Sequence, residues 1–234
     1  MNGNWALAFG ALCLSSGCVV TSDARGPLQY ESRAIDRDAS DRVRVNLNMG
    51  AGDLKVSSGT QKLLQAYFNY NVPDLKPDVR YSTAGGVGDL TVEQPSKHTH
   101  IGNMKYEWDL RLSDRVPLDI HVNFGAGQAQ LDLGSLDLRG VELDMGVGQL
   151  QMDLRGNPKH DYNVRISGGV GEATVRLPEN IGIDARASGG IGDISVRGLR
   201  KQGDRWLNDA YNGPGVKIHV DVQGGIGSIR LIAE

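Results

Sequence analysis

Apolar residues alternate with polar residues along most of this chain, and the alternation changes phase at a recurring glycine motif. In one copy, apolar residues occupy every second position from Val141 to Val147 and again from Leu150 to Leu154. A period of two residues predicts β-strands. Because the step from Val147 to Leu150 is three residues, the second strand would turn its apolar face outward unless a bulge or a corner absorbed the extra residue.

The phase change lies in a Gly-x-Gly motif that occurs seven times. Glycine adopts positive φ and lets a neighbouring backbone approach closely, so we predict that each motif forms a structural corner between two strands. One motif that recurs with one phase change also predicts a repeat architecture. The predicted corner glycines are Gly50 and Gly52, Gly86 and Gly88, Gly125 and Gly127, Gly146 and Gly148, Gly169 and Gly171, Gly190 and Gly192, and Gly225 and Gly227.

The spacing of the motifs sets the size of the repeat. The shortest interval between first glycines is 21 residues, and three longer intervals carry inserts at about 57–78, 93–115 and 197–215. The spacing of apolar residues in the first insert also fits a short helix, but its aromatic residues favour a strand. The second insert alternates cleanly between apolar and polar residues and is also interpreted as a strand. We therefore predict an all-β fold, a β-solenoid-like stack of about seven strand–Gly-x-Gly–strand repeats with inserted strands or hairpins. A β-sandwich is the alternative.

The position just before each corner poses a packing problem. It has the phase of the inward-facing residues, yet glycine occupies it in more than half of the copies. We expect other side chains to fill the space that these glycines leave, and the inserts that carry Trp108 and Trp206 are candidates. The residues at this position are Met49, Gly85, Phe124, Met145, Gly168, Gly189 and Gly224.

The N-terminal segment predicts export. Residues 1–17 carry no charged side chain, and a short apolar core from Trp5 to Leu14 is followed by small residues, which is typical of a signal peptide. The Gly17-Cys18 junction resembles the bacterial lipobox, in which cleavage leaves the cysteine lipidated at the new N-terminus. We predict that Cys18 is the lipid attachment site. An ordinary signal peptide with an incidental cysteine is the alternative.

Lipidation sets the predicted domain organisation and location. Two or three acyl chains anchor a protein stably, whereas a single chain does so marginally. The polar, turn-rich residues 18–27 read as a tether, and residues 28–234 as one β domain. We expect the domain on the outer side of the cytoplasmic membrane, or in the outer membrane facing the periplasm. The expected partners are the membrane, through the lipid, and an unidentified envelope protein.

Composition narrows the classes of function. Glycine makes up 32 of 234 residues, about twice its usual share. The net charge is −3 with both signs interspersed, so the basic stripe of a nucleic-acid-binding protein is missing and no nucleic-acid partner is expected. No stretch reaches the roughly 18 apolar residues of a transmembrane helix.

The polar position after each corner is the strongest candidate for a site. Stacked carboxylates such as those of Glu172 and Asp193 would repel one another at a strand spacing of about 4.8 Å. A weak cation site would relieve this repulsion, and a solvated edge with screened charges is the simpler interpretation. The residues at this position are Asp53, Asp89, Gln128, Gln149, Glu172, Asp193 and Ser228.

Other chemical motifs are incomplete. His98 and His100 have the spacing of a metal pair on a strand, but no third ligand is identifiable nearby. Ser57 and Ser58 lack the Gly-x-Ser-x-Gly elbow of a hydrolase. The glycine motifs have neither the nine-residue period of calcium-binding repeats nor the helix that follows a dinucleotide fingerprint. We predict no enzymatic activity, no cofactor and no metal site.

Longer motifs surround the glycines and fill the inserts. They occur from the first repeat to the last, over about residues 30–234. They are Gly50-Ala51-Gly52-Asp53-Leu54, Leu63 to Asn71, Lys76-Pro77, Trp108 to Leu112, Pro117-Leu118-Asp119, Gly125-Ala126-Gly127, Leu131-Asp132-Leu133, and the closing stretch from Tyr211 to Gly227.

Together these motifs resemble the toast-rack family, which is related to the C-terminal domain of LiaF-type cell-envelope-stress regulators and, more distantly, to bacterial adhesin-like β repeats. The resemblance implies a β-solenoid-like fold on the outer side of a membrane, in a family without an established enzymatic activity. The LiaF-type membrane helices are missing here, and the lipid anchor would replace them.

Three functions follow as hypotheses. The first is a non-catalytic lipoprotein that presents a rigid β surface for structural or partner-binding roles. The second is an envelope-stress sensor or regulator. The third is a glycan-binding or glycan-cleaving β-helix module, although a cleaving enzyme would need convergent carboxylates and the acidic residues here are spread one per repeat.

Overall fold

The computed structural model describes residues 26–95 and 104–234. The signal peptide, Cys18 and most of the tether, and the His98–His100 pair, lie outside the described residues. Within them, thirteen strands form one open sheet, and none of the helical turns is long or apolar enough to cross a membrane. The strands are β1 Gln29–Ile35, β2 Arg42–Ser57, β3 Leu64–Tyr70, β4 Asp78–Ala84, β5 Val87–Glu93, β6 Tyr106–Leu112, β7 Leu118–Asp132, β8 Leu138–Asp153, β9 Tyr162–Leu177, β10 Gly182–Arg197, β11 Arg200–Gln202, β12 Arg205–Leu207 and β13 Lys217–Ala233, with 3₁₀ turns at Pro73–Leu75 and Asp209–Asn212.

Six long strands of 15 to 17 residues, each with a Gly-x-Gly motif near its middle, form the centre of the sheet. They pair in parallel in the order β2-β7-β8-β9-β13-β10, and the glycine motifs of neighbouring strands lie in register. The prediction of an all-β, solenoid-like stack is therefore confirmed. We call each level of the stack a rung.

Each long strand bends sharply at its glycine motif. In β13, the Cδ1 atom of Ile229 lies 3.1 Å from the position that a Cβ on Gly224 would occupy. Five residues of straight strand would span about 16 Å, well beyond the reach of an isoleucine side chain. The N-terminal and C-terminal halves of each long strand therefore face each other.

The core lies between these two halves. In β2, Val45 and Leu47 before the corner and Leu54 after it are at most 1% exposed, and they belong to one hydrophobic cluster that runs through the stack. The change of phase at the corner is what allows both halves to turn their apolar residues inward.

The seventh rung is split, and it corrects the prediction for Gly86 and Gly88. The turn between β4 and β5 contains Gly85 and Gly86, both with positive φ, so this motif closes a hairpin and does not form a corner. Strand β5 instead pairs with the first half of β2, and β6 pairs with its second half. Four residues separate Asn48 from Asp53 in β2, whereas thirteen separate their partners Glu93 and Glu107. An insertion thus replaces the corner of this rung.

The last strand lies inside the stack. Strand β13 pairs with β9 on one side and with β10 on the other, although β9 and β10 are consecutive in the chain. The space of one strand therefore separates β9 from β10, and the C-terminal strand β13 fills it.

The two ends of the stack are finished differently. At the β6 end, β3 and β1 extend the sheet, and Phe68 packs edge-on against Trp108 with ring centroids 5.7 Å apart. The first insert thus forms a strand, as predicted, and Trp108 is fully buried. At the other end, β12 covers β10 only at Asp184 and Ala185. The second half of β10 remains an open edge.

Candidate interaction surface along the corners

The second glycines of the six long strands lie side by side and form a straight row at the bend. Their φ angles range from +130° to +146°, a region that L-residues rarely adopt. The register continues this row through Tyr106 and Tyr70 to Gln29 at the start of β1. We call this line the corner row; its members are Gln29, Tyr70, Tyr106, Gly52, Gly127, Gly148, Gly171, Gly227 and Gly192.

Successive rungs approach each other closely along the corner row. A methyl group on Gly148 would overlap the carbonyl oxygen of Gly127, and the same relation recurs from rung to rung. The first glycines stack in the same way, since a methyl group on Gly146 would overlap the carbonyl oxygen of Gly125. Only glycine fits where one backbone lies directly against the next.

The middle residue of the motif points outward, and this corrects the sequence interpretation. The alternation grouped Val147 with the inward-facing residues, yet it is 52% exposed, and Ile191 is 71% exposed. The bend turns this position out of the core, since it lies at the outside of the corner. Four neighbouring strands thereby expose an in-register line of branched apolar side chains, which we call the apolar ridge: Val147, Val170, Ile226 and Ile191.

Exposed apolar side chains concentrate at the corner row. Within the described ranges, every large hydrophobic residue that is exposed lies within three residues of a member of the row. Scattered exposed apolar residues are normal on a protein surface, but their confinement to one line is not. These residues are Leu28, Tyr30, Tyr67, Val147, Val170, Ile191, Ile194 and Ile226.

The polar position after the corner differs from the predicted column. Ser228 of β13 lies between Glu172 and Asp193, so these two carboxylates are not neighbours. Glu172 instead forms an ion pair with Arg230 at 3.4 Å. Asp89 lies elsewhere, in the hairpin strand β5, where it pairs with Arg44.

Carboxylates nevertheless line this side of the row. Asp53 has Glu107 of β6 as its register partner, and Glu107 accepts a hydrogen bond from the side-chain amide of Asn69 at 2.8 Å. No group of three or more residues able to hold a metal ion occurs among residues 26–95 and 104–234.

A groove of about 1020 Å³ runs along the other side of the corner row. Its polar wall is a ladder of outward-facing residues from successive long strands, and Asn123 donates a hydrogen bond to Asn48 at 2.8 Å. At its β2 end, the side-chain oxygen of Gln94 accepts hydrogen bonds from the backbone of Gly50 and Ala51. The ladder residues are Asn48, Asn123, Asp144, Ser167 and Gln223.

The predicted packing deficit before the corner is only partly filled. Glycines occupy this position in the three rungs β9, β13 and β10. The side chains of Ile229 and Ile194, from the other halves of the strands, reach toward Gly224 and Gly189. A cavity of about 60 Å³ remains beside them.

A polar cluster around one buried carboxylate, which sequence reasoning missed, lies on the outer face of the first half of the stack. The carboxylate of Asp184 is 5% exposed and meets Arg205 at 2.9 Å and His219 at 3.2 Å. Arg205 comes from β12, which pairs directly with β10, and His219 comes from β13, which reaches Asp184 because it inserts beside β10. The cluster fastens β12 to the stack, and no local signal in the sequence could have brought the three together.

Comparison with known proteins finds one matching family model and a similar solved structure. The model of the N-terminal domain of toast_rack matches residues 24–176. A solved structure from Clostridium sporogenes, provisionally named a cell adhesion protein, is 31% identical, covers 88% of this chain and 100% of its own, and superposes with a TM-score of 0.85. No curated protein matches the sequence.

Two more distant solved structures superpose on this chain with low TM-scores. A provisionally named adhesin from Bacteroides fragilis is 11% identical over 87% of this chain and 96% of its own, with a TM-score of 0.30. Another from Parabacteroides distasonis is 15% identical over 88% and 97%, with a TM-score of 0.29.

Proposed function

The chain belongs to the toast-rack family, and from this premise we propose that it is a non-catalytic, lipid-anchored protein of the cell envelope that presents a rigid β surface to a partner. The observation that carries the proposal is the register of the long strands. Equivalent positions of six strands meet in straight lines, which form the corner row and the groove beside it.

The stack can present a rigid surface because hydrogen bonds between rungs hold the backbone of every rung in place. Each inner rung is hydrogen-bonded to two neighbours, and the bend encloses a continuous core. A groove lined by amide, hydroxyl and carboxylate groups offers hydrogen bonds in fixed positions about 4.8 Å apart. Fixed donors and acceptors favour binding because little conformational entropy is lost when a partner docks.

The anchor is the first part of the proposal to test. Cys18→Ser should yield a protein that is no longer processed to the lipidated mature mass and no longer fractionates with membranes. Cys13→Ser is the matched control, since Cys13 would leave with the signal peptide and its loss should change neither readout. A Cys18→Ser protein that keeps the mature mass and the membrane fraction would contradict lipid anchoring at this residue.

The partner-binding surface needs a position-dependent test. A photocrosslinking amino acid placed at Asn123, in the groove, should give a defined crosslinked product in native cells, which mass spectrometry can identify. The same amino acid at Asn180, an exposed position in the β9–β10 loop far from the corners, is the control. Identical products from both positions, or none from Asn123, would count against the groove as a partner-binding surface.

A further inference from the structure

The described chain begins at the corner row. Gly26 donates a backbone hydrogen bond to Asn71 at 2.9 Å, and Asn71 donates one to Lys105, the residue before Tyr106 of the row. Strand β1 then starts with Gln29 on the row itself. The N-terminal segment therefore joins the domain on the bent side of the stack, away from the loops that connect the strand ends.

The length of the N-terminal segment ties this side to the anchor. Eight residue steps separate Cys18 from Gly26, and a fully extended chain of that length reaches about 28 Å at most. A lipid at Cys18 thus holds the domain within this distance of the membrane at one end of the corner row. This step rests on the proposed lipid anchor.

The surface chemistry of the same side suits a lipid surface. The apolar ridge continues the corner row away from the anchor, and Leu28 and Tyr30 lie at the anchor end. Branched apolar side chains gain free energy when they leave water for the acyl boundary, and tyrosine is favoured at the membrane interface. The loop side of the stack, within the described residues, exposes no large hydrophobic side chain.

We infer that the corner row is the membrane-facing side of the domain and that the apolar ridge rests in the interface of a zwitterionic lipid surface. The charge pattern selects this kind of lipid. Asp53, Glu107, Glu172 and Asp193 flank the row. Lys105 is paired with Glu107 at 3.2 Å and Arg230 with Glu172 at 3.4 Å, which leaves the negative charges of Asp53 and Asp193 without an ion pair among the described residues. Anionic headgroups would meet this acidic flank and repel it.

Depth-dependent quenching tests the inference. The lipidated protein, with Ile226→Cys carrying an environment-sensitive fluorophore, is reconstituted into phosphatidylcholine vesicles with brominated acyl chains. Asn180→Cys, on the loop side, is the matched control. The label at position 226 should be quenched and that at 180 should not, and adding anionic lipid should weaken the quenching at 226.

A second set of variants separates the ridge from the tether. With the label at Gln149→Cys, beside the ridge, replacing Val147, Val170, Ile191 and Ile226 by serine should abolish quenching while the protein stays on the vesicles. These side chains are exposed, so the fold should tolerate the change. Quenching that persists in the serine variant would mean that the tether alone sets the contact, and it would overturn the inference.

The remaining outcomes are distinct. Mass spectrometry of the same preparation first reports whether Cys18 carries lipid; an unlipidated cysteine overturns the proposed function and this inference with it. A lipidated protein whose label at 226 is unquenched overturns the inference alone. Disulfide-linked dimers of unlabelled Ile226→Cys on the same vesicles after a thiol oxidant is added, together with an unquenched label at 226, would assign the ridge to a second copy of the chain and would also overturn the inference.

Discussion

At the second corner glycine, backbone angle and available space both exclude a side chain. Gly148 has a φ of +142° and its α-carbon faces the carbonyl oxygen of Gly127. Gly59, in the loop after β2, also has positive φ, at +104°, but no atom lies within 4 Å of the position that a methyl group would occupy there. The two positions separate the effect of backbone strain from that of close approach.

Gly148→Ala should therefore be more destabilising than Gly59→Ala. Backbone strain costs about 1–3 kcal/mol at both sites, and overpacking adds about 1–3 kcal/mol at Gly148 alone. Chemical denaturation of both variants measures the difference in the free energy of unfolding. Equal losses would show that the rungs can move apart at the corner without cost.

Ion pairs at the strand ends act on stability through pH. Arg155 donates hydrogen bonds to Asp153 from its Nε at 3.0 Å and from its backbone, and these bonds lower the pKa of Asp153. A carboxylate with a lowered pKa in the folded state stabilises the protein above its unfolded pKa, about 3.9. That contribution is lost as the pH falls through the folded pKa.

Asp153→Asn should thus lower the free energy of unfolding at pH 7 and have little effect near pH 2. Since both side chains of the pair are only partly exposed to solvent, which screens part of their attraction, we expect a loss of about 0.5–1 kcal/mol at pH 7. Asp114→Asn, at an exposed loop position, controls for the loss of a carboxylate as such. A difference between Asp153→Asn and the unmodified protein that stayed constant from pH 7 to pH 2 would contradict the assignment.

At the scale of elements, the split rung shows how the stack tolerates an insertion. Where the corner of β5 and β6 is interrupted, the β2 backbone would lose part of its neighbour. Gln94 compensates, because its side-chain oxygen accepts from Gly50 at 2.8 Å and from Ala51 at 3.2 Å. A side chain here takes the place of a strand.

Gln94→Leu should expose these two amides. We expect faster hydrogen exchange at Gly50 and Ala51, and a loss of about 0.5–1.5 kcal/mol for each hydrogen bond that water does not replace. Gln130→Leu, at an exposed position of β7, is the matched control and should leave exchange at both amides unchanged. Unaltered exchange in Gln94→Leu would mean that water or another group already satisfies the β2 corner.

At the scale of the whole molecule, β13 joins segments that are not otherwise paired. It forms fifteen register pairs with β10 and fifteen with β9. Without it, β9 and β10 would each face an empty position along their whole length. The stack would then have two open edges and an exposed core.

Removing residues 217–234 should therefore abolish cooperative thermal unfolding, since both neighbours of β13 lose their partner together. Removing Glu234 alone should cost little, because it takes away two partly exposed ion pairs, with Arg155 and Arg176, and one backbone hydrogen bond to Leu177 at 3.0 Å. A peptide of residues 217–234, added in trans, should restore the transition by mass action. A truncated protein with the same thermal transition as the full chain would show that β13 contributes little to the stability of the stack.

Local pattern was sufficient for the long strands of this protein and for their bends. Alternation of period two located the six long strands, aromatic content indicated the insert strand Leu64–Tyr70, and the phase change located six of the bends. Glycine at the corners followed from the same pattern, since a bend that reverses phase between closely stacked rungs leaves no room for a side chain. These features depend on residues a few positions apart, so the sequence alone contains them.

Only the tertiary structure decided which distant segments of the chain lie next to each other. The insertion of β13 beside β9, the split rung that leaves Gly86 and Gly88 in a hairpin, and the Asp184 cluster all depend on which strands pair. Period two assigns each residue to one of two faces, but the outside of a bend belongs to neither. The alternation therefore did not indicate the apolar ridge, which forms only because the bends of four neighbouring strands lie in register.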